Sequence, residues 1–200
     1  VLVFAVGLPS SGIPTAWAAA AERPGIALLP DLSERSVETL AARVRAAKRP
    51  GDVVVVSIHW GENWGYAIPQ EQVRFAHALI DSAGVDVVFG HSSHHAKGIE
   101  VYRGKLVLYG AGDLINDYEG ISGHEEFRPD LAVLYTATVE PSSGRLRELR
   151  MTPFQLKRLR LERASRADVR WLRGVLSREG EPLGTRVESA PDRELRLRWE

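Results

Sequence analysis

Residues 51–65, GDVVVVSIHWGENWG, and 84–118, GVDVVFGHSSHHAKGIEVYRGKLVLYGAGDLINDY, decide how this chain is read. Two runs, Val53 to Ile58 and Val85 to Phe89, are short, rich in valine and apolar on both faces, as strands inside a parallel sheet are. Each runs straight into histidine: His59 after the first, His91, His94 and His95 after the second. Between them Pro69 can open a helix, because its missing N–H costs nothing in the first turn. Val73, Ala76, Leu79, Ile80 and Ala83 give that helix a buried face, and Gly84 ends it. The unit is a β-α-β crossover, right-handed and parallel. His59 and His91 are therefore expected side by side at the carboxyl edge of a sheet, where open α/β folds bind ligands.

Outward from this centre, VLVFAVG at the start reads as another strand. Leu8 to Pro30 is broken by Pro9, Gly12, Pro14 and Pro24, leaving room for one turn at Ala16 to Ala21. Asp31 and Glu34 resemble a capping pair, and Val37, Leu40, Ala41 and Val44 recur at helical spacing, so a helix is predicted from about Ser33 to Lys48. IEVY and KLVLY, separated by Arg103 and Gly104, form a hairpin. Leu131 to Val139 and Arg145 to Met151 pair across a turn at Pro141 to Gly144, Glu162 to Arg178 is an amphipathic helix, and ELRLRW at the end alternates like an edge strand. The fold class is thus α/β, a mixed sheet with a β-α-β crossover followed by hairpins. Residues 1–150 hold the α/β part, and residues 151–200 a basic helix and edge strand packed on the same domain.

Composition narrows the classes. With 44% apolar and 26% charged residues the chain is globular, and no apolar run approaches the ~20 residues that span a bilayer. The absence of cysteine excludes disulfides and thiolate ligands, so a metal would use His, Asp, Glu or Asn. Val1 lies inside a strand pattern, which suggests the continuation of a longer protein. Location is left open. Charge balances at 26 basic and 26 acidic residues, yet residues 140–200 hold 15 basic and 10 acidic ones, leaving 11 and 16 for the rest. An arginine-rich tail of this kind suits solvated faces with ion pairs, or contact with an acidic polymer or lipid. Nucleic acid is not expected, since no aromatic residues interleave with a basic groove.

The histidines carry the chemistry. Two divalent metals held ~3.5–4 Å apart can bind the attacking and leaving oxygens of a hydrolytic displacement, using histidine and carboxylate ligands from several strand ends. Three histidines supply about half of such a set. Asp113, Asn116 and Asp117 in GAGDLINDY follow a strand end, where a ligand, a partner that fixes a histidine tautomer, and simple turn chemistry are alternatives. Trp60, Trp64 and Tyr66 read either as walls of a substrate cleft or as packing under a loop. His124, in ISGHEEFRPD, is a candidate lid residue, and His77, on a helix near Val73 and Ile80, is read as structural.

In order along the chain, His-Trp-Gly, Gly-His-x-x-His and IEVY-x-GK-x-x-x-Y closely resemble the CapA-type proteins of poly-γ-glutamate capsule synthesis, within the calcineurin-like metallophosphatase superfamily. The match is strongest over residues 52–130 and weak after about residue 150. The resemblance implies an αββα sandwich, present here without its N-terminal part, and a two-metal site along strand ends holding Mn, Fe or Zn. It makes His59, His91 and His94 metal ligands, and leaves His95, one place beyond the pattern, as a proton carrier. Early ligands of the superfamily, an Asp, a Gly-Asp and an Asn, would precede Val1. Many relatives carry Glu four residues after the mid-chain histidine, where this chain has Asn63. Asn63 can hydrogen-bond an oxyanion but cannot serve as a base. Trp60, Trp64 and Asp113 are the candidate substrate contacts.

The function this implies is a bacterial, metal-dependent hydrolase acting in capsule polymer synthesis or processing. Activated water would attack a phosphoryl or acyl centre, in a small phospho- or glutamyl substrate or an anionic polymer. The alternative is a non-catalytic scaffold or binding subunit of a membrane-associated capsule assembly complex. The cell envelope and the cytoplasm are both open as locations.

Overall fold

The computed structural model describes residues 1–117 and 121–200; Tyr118, Glu119 and Gly120, at the end of the GAGDLINDYEG segment, lie outside the described residues. Its first half alternates strand and helix: β1 (Leu2–Gly7), α1 (Glu34–Ala47), β2 (Val54–His59), α2 (Gln70–Ser82) and β3 (Val87–His91). The three strands are parallel and lie side by side in sequence order. Right-handed crossovers that step in one direction place their helices on one face of the sheet. Accordingly α1 and α2 pack together, and Leu40, Val44, Phe75 and Leu79 share an apolar core with Val54, Val56, Ile58 and Val88.

The hairpin follows as expected, β4 (Ile99–Tyr102) and β5 (Lys105–Leu108), turning through Arg103 and Gly104 at φ 50° and 79°. Positive φ at both central residues gives a turn whose twist matches that of the strands. β5 runs parallel to β3 and β4 antiparallel to β5, so the first sheet is mixed, in the order β1-β2-β3-β5-β4. The mixed α/β architecture and the crossover read from the sequence are both present.

The second sheet is antiparallel, built from β6 (Leu131–Val139), β7 (Leu146–Lys157), β8 (Arg160–Arg163), β9 (Thr185–Ser189) and β10 (Leu195–Trp199), with α3 (Arg166–Gly180) before β9. Its order is β6-β7-β10-β9, and β8 pairs with β7. Here the sequence reading needs correction. β7 continues past Met151 to Lys157, through residue 150 without a break. The helix expected from Glu162 starts at Arg166, because Ser165 and Asp168 form a reciprocal capping box and β8 takes up the residues before it. β10 is not an edge strand but lies between β7 and β9, with Leu195 and Leu197 buried. Between β1 and α1 the chain makes short 3-10 turns at Pro9–Ser11 and Thr15–Trp17.

The two sheets share a core. Val87, Ile99, Leu106 and Leu108 of the first cluster with Leu131, Val133, Leu149, Met151 and Leu195 of the second, and with Leu172 and Leu176 of α3. Among the described residues, no helix is long and apolar enough to cross a membrane.

Candidate functional site

Strand alternation sets the site. Along β2, Val54, Val56 and Ile58 join the helix-side core, and the next residue of that face is Trp60. Val55, Ser57 and His59 take the opposite face, toward the second sheet. On β3 the last register pair with β2 is His59↔His91. The Nδ1 atoms of these two imidazoles are 3.0 Å apart, and their rings tilt at 57°. Ser57, one step back on the same face, sets its Oγ 3.0 Å from His91 Nε2. Burial, with the neighbouring His59 adding to it, drops the His91 pKa to about 4. Burial, reinforced by His94, also lowers that of His59. At neutral pH both rings are therefore uncharged and each carries one lone pair.

Two loops knit together beyond these strand ends. Gly90 lets them close: a Cβ there would lie 2.5 Å from Trp60 Nε1 and 2.7 Å from the carbonyl oxygens of Leu108 and Tyr109. Ser92 holds φ 126°, a strained value for a residue with a side chain. Its hydroxyl donates to Gly61 O at 3.1 Å and Asn63 Oδ1 at 3.3 Å, while the His94 amide donates to Asn63 O at 3.1 Å. The next turn brings in Asp113, whose Oδ2 accepts from His94 Nδ1 at 3.0 Å and from Asn116 Nδ2 at 3.1 Å. A carboxylate on Nδ1–H fixes the tautomer and leaves Nε2 as the basic nitrogen of His94.

Aromatic rings cover this edge. Trp64 stacks on His124 with centroids 4.0 Å apart and approaches His94 at 5.3 Å. His95 is 1% exposed, packed against Phe127 at 4.7 Å, Tyr66 at 4.8 Å and Trp64 at 6.1 Å. Its Nδ1 donates to Ala96 O at 3.3 Å, and its Nε2 is a buried nitrogen with no hydrogen-bond partner among the described residues. Burial lowers the His95 pKa to about 4, so the ring is neutral.

The structure thus brings His59, His91, His94, Asn63, Asp113 and Trp64 to one edge, with His95 behind them. Trp60 is not at that edge: it is 2% exposed, stacked parallel to Tyr109 in the helix-side core, and its Nε1 donates to Tyr109 O at 3.0 Å. Asp117 is exposed. His77 is structural, donating to both Glu100 oxygens at 2.9 and 3.0 Å and stacking on Tyr102. Ser57, Ser92 and Phe127 went unread in the sequence, although the period of two in β2 points Ser57 to the face of His59.

Whether a divalent ion suits these groups follows from the donor set. Two nitrogens each ~2.1 Å from one ion lie ~3.4 Å apart at a tetrahedral angle and ~3.0 Å at a right angle; the two Nδ1 atoms, 3.0 Å apart and within reach of an N–H···N hydrogen bond in the absence of an ion, are close to that spacing. Ser57 can accept the opposite N–H of His91, as groups behind a metal-bound histidine do. The pair fits a metal as part of a ligand set. Among the described residues, no group of three or more His, Asp or Glu side chains stands close enough together to hold a metal ion, so His94 does not join the pair as placed.

Taken together, the fold and site define an α/β protein with histidines gathered at parallel strand ends. Residues 1–118 match the family described as bacterial capsule synthesis protein PGA_cap, and the chain belongs to that family. It is 51% identical over 198 residues to a probable polyglutamine synthesis accessory protein of Mycobacterium tuberculosis, covering 98% of this chain and 52% of that protein. To the PGA biosynthesis protein CapA of Bacillus subtilis it is 35% identical over 80 residues, 40% of this chain and 21% of the relative. With the capsule biosynthesis protein CapA of Bacillus anthracis the identity is 32% over 101 residues, 48% of this chain and 23% of the relative. The chain therefore spans about half the length of the mycobacterial relatives it matches.

Proposed function

We propose that this chain takes part in making or processing a poly-glutamate capsule polymer, and that its histidine edge holds a divalent metal for hydrolysis. The observation that carries the reading is the 3.0 Å apposition of two neutral imidazoles at adjacent strand ends. His59 and His91 would hold the ion through Nδ1, with Ser57 orienting the second ring, and His94, oriented by Asp113, would add its Nε2 only by moving toward that pair. A divalent Mn, Fe or Zn ion there would lower the pKa of a bound water and polarise a phosphoryl or acyl oxygen. Asn63, held by Ser92, presents its amide to a developing oxyanion. Trp64 and Asp113 face the substrate side. His95 keeps a basic nitrogen inside the aromatic wall, where it can take a proton only through a group or water admitted to that wall.

A second reading, a binding subunit of a membrane-associated capsule assembly without turnover, draws on Asn63. This residue cannot act as a base, and its Oδ1 already accepts from Ser92. The word "accessory" in the mycobacterial relative's name points the same way. Elemental analysis of the purified protein, with phosphodiester and γ-glutamyl assays on parent and His59→Ala, separates the two. Metal with turnover that the substitution abolishes supports the hydrolase. Metal without turnover supports the subunit, and a metal-free protein in metal-supplemented medium defeats the metal site in both.

A further inference from the structure

The outer face of the second sheet carries a charge pattern that folding does not ask for. Leu149, Met151, Val187, Leu195 and Leu197 are buried, so alternation sends Arg150, Arg186, Arg196 and Arg198 to the opposite, exposed side. Arg147 joins them beside the irregularity in the β6–β7 register. Register sets Arg196 opposite Arg150 and Arg198 opposite Arg186. Like charges directly opposite in an antiparallel pair destabilise it.

Only part of this repulsion is answered within the face. Glu148 reaches Arg196 at 2.9 Å and Arg150 at 3.8 Å; Glu188 reaches Arg198 at 2.8 Å and Arg186 at 3.4 Å. Each of these two carboxylates is shared between two guanidinium groups, whereas Arg147 pairs with Glu140. Arg196 Nε, buried, has no hydrogen-bond partner among the described residues.

We propose that this face binds a linear polycarboxylate, whose acid groups join Glu148 and Glu188 as counter-ions to the arginine rows. Carboxylate is favoured because the three resident counter-ions, Glu140, Glu148 and Glu188, are carboxylates already engaged by these guanidinium groups, and the planar fork of arginine matches that group. Nucleic acid is disfavoured because bases need rings to stack on. Of the nearby rings, Tyr135 of β6 and Trp199 of β10 pack against the core, and Phe154 of β7 is covered by Arg163. Of the function proposed above, this inference uses only the polymer and not the histidine chemistry.

Anisotropy titration of dye-labelled poly-γ-glutamate tests it, run beside uncharged polyglutamine and a single-stranded DNA of equal charge. The acid polymer should bind, with affinity falling as salt is raised from about 50 to 300 mM because exposed charges are screened. The double variant Arg196→Thr, Arg198→Thr should bind about tenfold more weakly or worse, while its thermal midpoint equals or exceeds the parent's because two like-charge pairs are gone. Should that variant fail to fold, Arg186→Gln, at the most exposed of these positions, carries the comparison. No binding at low salt, undiminished binding by the folded variant, or tighter binding of DNA than of the polyacid would each overturn the proposal. Zinc uptake measured on the same samples reports the histidine edge separately, so either reading can fail alone.

Discussion

At the scale of single residues, the candidate centre depends on Ser57 as much as on the histidines it supports. If Ser57 accepts the Nε2–H of His91, it keeps the facing Nδ1 unprotonated for an ion. Ser57→Ala should lower zinc affinity by about 10–100-fold, the usual cost of losing a group behind a metal ligand, with the urea midpoint almost unmoved. Competitive zinc titration measures the first and circular dichroism the second; unchanged affinity would remove Ser57 from the site. Gly90→Ala acts on packing instead. Its Cβ would strike Trp60 Nε1 and two carbonyl oxygens, so a loss of about 1–3 kcal/mol is expected, read as a lower urea midpoint. These residues also mark what was legible. Once Ile58 is assigned to the core, the period of two sends Trp60 after it and Ser57 to the histidine face, so both positions were readable. The φ of Ser92 and the ring wall around His95 were not, because loop conformation has no period to read.

For whole elements, the sequence was clearest where hydrophobic periodicity was uninterrupted. β2, α2 and the hairpin emerged nearly in place, and with them the register that joins His59 to His91. β8 and β9 escaped because they are short and mix charged residues with few apolar ones, RLER and TRVES. Missing β9 is what made β10 look like an edge. The start of α3 was written locally but overlooked: Ser165 accepts from the Asp168 amide while the Asp168 carboxylate accepts from the Ser165 amide. Ser165→Ala should destabilise the protein by about 1 kcal/mol. Asp168→Ala should cost more, because this carboxylate also receives Arg128 at 2.9 Å and so ties α3 to the segment entering β6. Chemical denaturation of the two variants ranks them; equal losses would mean that the Arg128 contact contributes nothing.

Across the whole molecule, Asp86 joins elements at the edge of the first sheet opposite the histidines. Its carboxylate accepts from the Val54 amide at 2.9 Å and from Lys48 at 3.3 Å, and it pairs with Lys105, which also donates to the carbonyl of Ser143 in the β6–β7 turn. Burial opposes its charge, but the Lys105 and Val54 hydrogen bonds and the two lysine charges outweigh burial and hold its pKa below 3.8. The unfolded chain therefore takes up this proton first as pH falls. The associated stability is complete above pH 3.8 and is lost progressively below it, toward the folded-state pKa. Asp86→Asn should cost about 1–3 kcal/mol at pH 7 by leaving two half-buried lysine charges and the Val54 amide without their carboxylate, and should flatten the acid limb of a urea-midpoint profile below about pH 4. A parallel profile for parent and variant would contradict this. Covalently, the two sheets are joined once, by the segment between Leu108 and Leu131, which carries Asp113, His124 and Phe127 past the histidines. One cut after the exposed Glu125 or Glu126 would convert the chain into two pieces held by their common apolar interior and by the hydrogen bonds across it, among them Lys105 to Ser143 and Thr185 to Ile99. Such a nicked pair should co-elute on gel filtration yet melt at a temperature that rises with protein concentration, as a heterodimer does.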